Sequence, residues 1–154
     1  MRSRFTASLL ALLVLPAVTH AQKSGPVWGP APAVFPAGAK MAVLQGDPSK
    51  PEWFTVRLDL PNGYRVQPHF HPTDELLTII SGTFLLGMGD TLDAARATVL
   101  PTGGFGTVAA NMHHYAIARG RTVVQVQGMG PFVLTYVRAE DDPRNGHGSG
   151  DASY

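Results

Sequence analysis

Between Met41 and Val137 the apolar residues fall in short runs separated by turn residues, and several runs alternate apolar with polar. Trp53 to Leu60 is the clearest. Phe54, Val56, Leu58 and Leu60 alternate with Thr55, Arg57 and Asp59, the period of a strand with one face buried. Met41 to Gln45 predicts a strand before it, closed by Gly46-Asp47-Pro48, and Pro61-Asn62-Gly63 predicts the turn after it. Leu76 to Ile80 and Thr83 to Met88 flank Ser81-Gly82, which predicts a hairpin. Phe105 to Val108, His113 to Ala118, Thr122 to Gln127 and Phe132 to Val137 predict further strands, divided by Gly120 and by Gly128-Met129-Gly130-Pro131. Asp90 to Ala97 is patterned for a helical turn. About nine short strands with almost no helix predict an all-β domain, and antiparallel strands dispose of their edges by closing into a sandwich or barrel.

The flanks read differently. Arg2 and Arg4 precede the apolar run Leu9 to Leu15, and Thr19-His20-Ala21 supplies small residues where a signal peptidase cuts, so residues 1–21 predict a signal peptide. The run from Phe5 to Val18 is shorter than the ~20 residues a bilayer needs and contains Pro16. The expectation is a periplasmic or secreted protein with no membrane span in its mature chain. Residues 22–39 carry prolines at 26, 30, 32 and 36 and predict an extended arm. With Trp28 and Phe35, that arm either packs along its own domain or crosses to a second subunit. A barrel over 40–140 follows, and residues 141–154 have too few apolar side chains to pack, which predicts a flexible tail.

Composition narrows the chemistry. The 154 residues suit one domain, and Lys+Arg 12 against Asp+Glu 11, without a basic cluster, argue against nucleic acid as a partner. Cysteine is absent, which removes disulfides, thiolate metal sites and cysteine nucleophiles. What remains is the stretch from Gly63 to Gly82. In an extended segment His69 and His71 point the same way, and a turn at Pro72-Thr73-Asp74 brings Glu75 beside them. Two imidazoles and a carboxylate on one point suit a first-row divalent ion, and burying them together without a cation is costly. Asp74 reads as a turn residue or as an acceptor for a ligand histidine.

That stretch resembles the first motif of the cupin superfamily: glycine, five residues, His-x-His, three or four residues, glutamate, six residues, glycine. Gly63, His69, His71, Glu75 and Gly82 meet every fixed position. The second cupin motif falls on Gly103, Ala109, Asn111, His114 and Ala118, where the family's proline, glycine and final asparagine are replaced. Asn tolerates the left-handed backbone that glycine would supply. The resemblance covers about residues 40 to 137 and is strongest to short single-domain bacterial proteins carrying His-x-His-Pro-Thr-Asp-Glu. It implies a jelly-roll β-barrel, often dimeric, with one divalent metal (Fe, Mn, Zn, Ni or Cu) held by His69, His71, Glu75 and His114. The bare spacing allows His113 as readily as His114, because adjacent strand residues face opposite sides. If His114 faces in, Ala116 and Ala118 share its side while Tyr115 and Ile117 pack outside.

The resemblance further implies a metal-dependent, oxygenase-type enzyme on a small organic substrate. The alternatives are a non-catalytic cupin that binds a metal or small ligand for sensing, storage or structure, and a zinc-dependent isomerase or hydrolase. A general base must be Glu75, a metal-bound hydroxide, or one of Tyr64, Tyr115 and Tyr136. Phe84, Met88, Leu86, Phe105 and Ile79 are expected to make an apolar pocket. Gln125 and Gln127 share one strand face; they are substrate contacts if that face lines the barrel and an ordinary wet face if it does not. Free sheet edges and the Trp28–Phe35 surface predict a homodimer.

Overall fold

The structure, a computed structural model, describes residues 25–145. The predicted signal peptide, the first residues of the arm and the tail from residue 146 lie outside the described residues. The described chain holds nine strands: β1 (Gly29–Pro30), β2 (Lys40–Gln45), β3 (Trp53–Leu60), β4 (Arg65–Phe70), β5 (Glu75–Met88), β6 (Thr98–Pro101), β7 (Phe105–Val108), β8 (His114–Met129) and β9 (Thr135–Tyr136). Every pairing among them is antiparallel. The fold is all-β, a curled sheet of jelly-roll type. No helix among the described residues is long and apolar enough to cross a membrane.

Two of the strands are much longer than the sequence pattern suggests. The predicted hairpin at Ser81-Gly82 is absent. The two runs form one 14-residue strand, β5, and the runs on either side of Gly120 likewise form the 16-residue β8. β5 and β8 pair with each other from Glu75↔Gly128 to Met88↔His114, with register shifts around Ser81. Gly82 takes φ +83°, and a Cβ there would lie 2.5 Å from the Arg121 carbonyl oxygen. The glycine therefore bends a paired ribbon instead of reversing the chain, a use that local composition does not distinguish from a turn.

The bend makes two layers. Residues 75–79 and 124–128 lie with β3 and β7, and β2 extends that layer; residues 83–88 and 114–119 lie with β4 and β6. Strand alternation then sends Phe54, Val56 and Leu58 from one layer and Val66, Phe84 and Leu86 from the other into a shared core. Buried apolar surface of this kind contributes about 25 cal/mol per Å², which makes the interlayer core the main source of stability. At the corner Arg121 makes two hydrogen bonds to Asp59, of 2.9 and 2.6 Å, and Asn62 accepts from the Gly120 amide at 2.7 Å.

Other segments depart from expectation for local reasons. Residues 90–97 form turns, not a helix, because they wrap over Tyr115, whose hydroxyl donates to the Asp93 carbonyl at 2.7 Å. Gly87 lies beneath that ring, where a Cβ would collide with it. Only Thr135–Tyr136 of the predicted strand 132–137 joins the sheet, since Phe132 donates its amide to the Pro48 carbonyl and Val133 gives its carbonyl to His71. Thr98–Pro101 pairs β5 although nothing in its sequence marked it. The chain from 139 to 145 forms two 3-10 turns, Ala139–Asp141 and Pro143–Asn145, tied by Asn145 to the Ala139 carbonyl at 2.7 Å. The described part of the arm packs on its own barrel: β1 pairs β2, and Ala31, Val34 and Phe35 lie against the core.

Candidate metal centre

A flat 14-residue strand would hold its two ends roughly 40 Å apart. Glu75 begins β5, and His114 pairs with Met88 at the strand's other end. Folding the ribbon at its corner nevertheless brings Glu75 Oε2 to 3.2 Å from His114 Nε2. The corner glycines thus assemble the site from the far ends of two strands.

His69 on β4 pairs directly with His114, which places the first of the two histidines beside the third imidazole. His71 follows the strand and faces the same way, as alternation requires. The turn behind it is anchored to the loop before β8: the Asn111 amide donates to the His71 carbonyl at 2.7 Å, and the Ala110 amide to Asp74 Oδ1 at 2.8 Å. Asp74 is therefore a turn residue that joins the two motif loops, not an acceptor for a ligand histidine. Asn111 takes φ +61°, the left-handed backbone expected where the family has glycine. Ala118, where the family has asparagine, is buried and exchanges backbone bonds with Gly63 and Tyr64.

The three imidazoles offer nitrogens within 4.8 Å of one another, and all three residues are buried with Glu75. Each Nδ1 faces a backbone carbonyl: His69 that of Gln67 at 2.7 Å, His71 that of Val133 at 2.8 Å, His114 that of Met112 at 3.0 Å. A carbonyl only accepts, so each Nδ1 carries the proton and each Nε2 presents a lone pair. Burial, reinforced by the two neighbouring imidazoles, holds His69 well below its ordinary pKa; burial also lowers His71, against the opposing pull of Glu75. Neutral imidazole is the form that binds metal. His71 Nε2 is buried without a hydrogen-bond partner, 3.9 Å from Glu75 Oε2. An unpaired buried polar atom costs about 1–3 kcal/mol, and a cation between these donors removes that cost. The donor set fits a divalent metal.

His113 is excluded by register. It faces outward, 2.6 Å from Asp90 and stacked on Phe70 at 5.1 Å. Phe132, which the sequence did not mark as part of the site, stacks on His71 at 4.2 Å and fixes its ring.

The cluster opens on a cavity of about 210 Å³ between the layers. Its walls are Val56, Leu58, Leu77 and Val126 from one layer and Phe84 and Leu86 from the other. Of the predicted pocket residues, Phe84 and Leu86 line it; Ile79 is buried in the core beyond it, and Met88 and Phe105 are exposed on the outer surface, where β5 and β7 leave the core. Gln125 and Gln127 lie on the face opposite Val124 and Val126. Gln125 accepts from Arg57 Nε at 3.2 Å, so that face is the wet one and the glutamines are not in the cavity. The three candidate tyrosines are also committed elsewhere: Tyr64 and Tyr136 donate to the carbonyls of Pro36 and Val34, and Tyr115 to Asp93.

Solved structures resemble this fold. The polyketide cyclase RemF of Streptomyces resistomycificus matches with a TM-score of 0.65 at 13% identity, over 82% of this chain and 90% of its own. A candidate acetylacetone dioxygenase of Methylibium petroleiphilum PM1 matches at 0.62 and 22% identity, over 86% and 90%. An RmlC-like cupin of Shewanella frigidimarina NCIMB 400 matches at 0.54 and 14% identity, over 71% and 87%. No protein-family model and no curated protein matches the chain. The fold that the barrel shares with these neighbours is the cupin fold. At these identities the likeness is one of fold. Within it, this chain's own feature is a buried three-histidine group at the barrel mouth.

Proposed function

We propose that the protein is a divalent-metal-dependent enzyme of oxygenase type, acting on a small organic substrate that presents oxygen to the metal. The observation that carries this reading is the orphaned Nε2 of His71 among three imidazoles whose Nδ1 protons are all occupied, opening on an apolar cavity. His69, His71 and His114 would hold the ion through Nε2, with Glu75 as the fourth ligand or as the base beside it. The metal would supply an open coordination position for substrate oxygen or dioxygen. Among the described residues Glu75 is the only carboxylate lining the cavity, and with the tyrosines engaged elsewhere it would be the group that takes a proton from bound substrate. The apolar walls exclude water around that transfer. The likeness to a candidate acetylacetone dioxygenase makes 1,3-diketones the first substrates to try.

Metal analysis of protein from its native compartment, followed by oxygen uptake across 1,3-diketones, catechols and oxo-acids, tests the reading. Turnover that tracks metal content supports it; ligand-induced thermal shifts without turnover favour a binding protein. Export through residues 1–21 and homodimerisation belong to the same proposal. The arm now covers its own barrel, so support for a dimer comes from β6, which pairs only β5 and carries exposed Val99. A light-scattering mass equal to one chain would reject it.

A further inference from the structure

One side of the barrel is closed without a ladder. β2 pairs β1 and β3, and β4 pairs β8 and β9, but no described pairing joins β2 to β4 or β9. The loop 31–39 of the β1–β2 hairpin lies across this seam. Tyr64, ahead of β4, donates its hydroxyl to the Pro36 carbonyl at 2.5 Å, and Tyr136 on β9 donates to the Val34 carbonyl at 2.8 Å. Burial raises both phenols well above their ordinary pKa, so both remain donors. Between these two latches, Val34 and Phe35 turn into the cavity that begins at the three histidines.

The lining is unusually poor in polar groups. Apart from His69, His71, His114 and Glu75 it offers only Ser49, whose hydroxyl donates to Asp47 at 2.7 Å, and among the described residues no lysine or arginine lines it. Three neutral imidazoles and one carboxylate around a divalent ion leave a single positive charge, which matches one singly charged oxygen head. A polar group elsewhere on the molecule, beyond reach of the metal, would be buried without a partner, whereas the two oxygens of a diketone enolate form one singly charged head. Size is limited as well: cavities of about 150 Å³ hold benzene, and pockets for drug-sized ligands run to roughly 300–1,000 Å³.

We infer that the site takes a compact molecule with one oxygen head and an apolar tail, and that Val34 and Phe35 on the latched loop are specificity-determining residues that set the size of the tail. This deepens the metal-enzyme reading and rests on it for the head. The tail is a matter of cavity shape alone. Fit of a methylene-sized group in an apolar pocket discriminates by roughly 10–200-fold, which is the range one aromatic wall can control.

The test compares wild type, Phe35→Ala and Tyr136→Phe in the full chain. With metal loaded, calorimetry measures pentane-2,4-dione against 1-phenylbutane-1,3-dione; with metal removed, thermal shift compares benzene with naphthalene. Phe35→Ala should move the preference toward the bulkier member of both pairs by at least about tenfold. Tyr136→Phe keeps the ring and loses the latch, so it should weaken both diketones together and speed proteolytic cleavage within 31–39. Preferences in Phe35→Ala within about twofold of wild type, for either pair, would overturn the inference. Wild type that loads metal yet binds neither diketone would overturn the oxygen head. A chain that takes up no metal would instead sink the enzyme reading, while the benzene and naphthalene pair still decides the role of Phe35.

Discussion

At the corner of the β5–β8 ribbon the polar groups have protein partners: Asp59 holds Arg121, Asn62 the Gly120 amide, and Thr122 the Thr83 carbonyl. At the mouth, beside the open ends of that ribbon, His71 Nε2 is the one buried side-chain nitrogen or oxygen among the described residues that has none. The two regions lie along the same β5–β8 ribbon and differ in what is left over. Satisfied groups stabilise the bend. The one unsatisfied nitrogen at the mouth is a group that an ion could complete, and a buried polar group held open in this way marks a site more sharply than burial alone.

This contrast can be broken at either end. The largest effect is expected at the mouth, where His114→Ala removes one of three converging imidazoles. Metal affinity should fall by more than the ~10–100-fold typical of outer-shell changes. The metal-dependent rise in Tm should vanish with it, read by elemental analysis and by melting with and without metal. His69→Ala and His71→Ala should behave alike, and retained metal in any of them would dissolve the assignment.

At the corner, Gly82→Ala forces a Cβ against the Arg121 carbonyl at a φ of +83°. It should destabilise by roughly 2 kcal/mol in chemical denaturation while the folded fraction keeps its metal stoichiometry. Loss of metal in proportion to stability would show that corner and mouth are not separable.

Asp59→Asn probes the same corner through pH. The Arg121 guanidinium holds the Asp59 carboxyl below its usual range. A depressed folded pKa contributes stability that is present above the unfolded value of about 3.9 and is lost as pH falls through the folded one. Wild type should therefore exceed the variant by about 1 kcal/mol at pH 7, a modest figure because Arg121 is exposed, and the two should converge in acid. A gap that persists unchanged into acid would assign the effect to packing.

The smallest effect belongs to His113→Ala. Its ring pairs with Asp90 outside the barrel, so metal affinity should change by less than about tenfold. An emptied site in this variant would mean that the β8 register is off by one residue.

The sequence by itself determined the all-β class, the strand Trp53–Leu60 and the first-motif residues His69, His71 and Glu75, because alternation and short spacing are local properties that the backbone converts directly into facing. It left His113 and His114 equivalent and Gln125 and Gln127 undecided. Facing relative to a core depends on register against β4 and β3, which no run of residues encodes alone. It misread Gly82 as a chain reversal, since a positive φ serves a hairpin and a bent ribbon equally and only the partner strand distinguishes them. The tertiary structure also decided that Phe132 and the arm residues Val34 and Phe35 complete the site. The arm carries no motif and Phe132 lies in a predicted strand that forms only at Thr135–Tyr136, and both reach the histidines because folding the β5–β8 ribbon creates a mouth and a seam for them to cover.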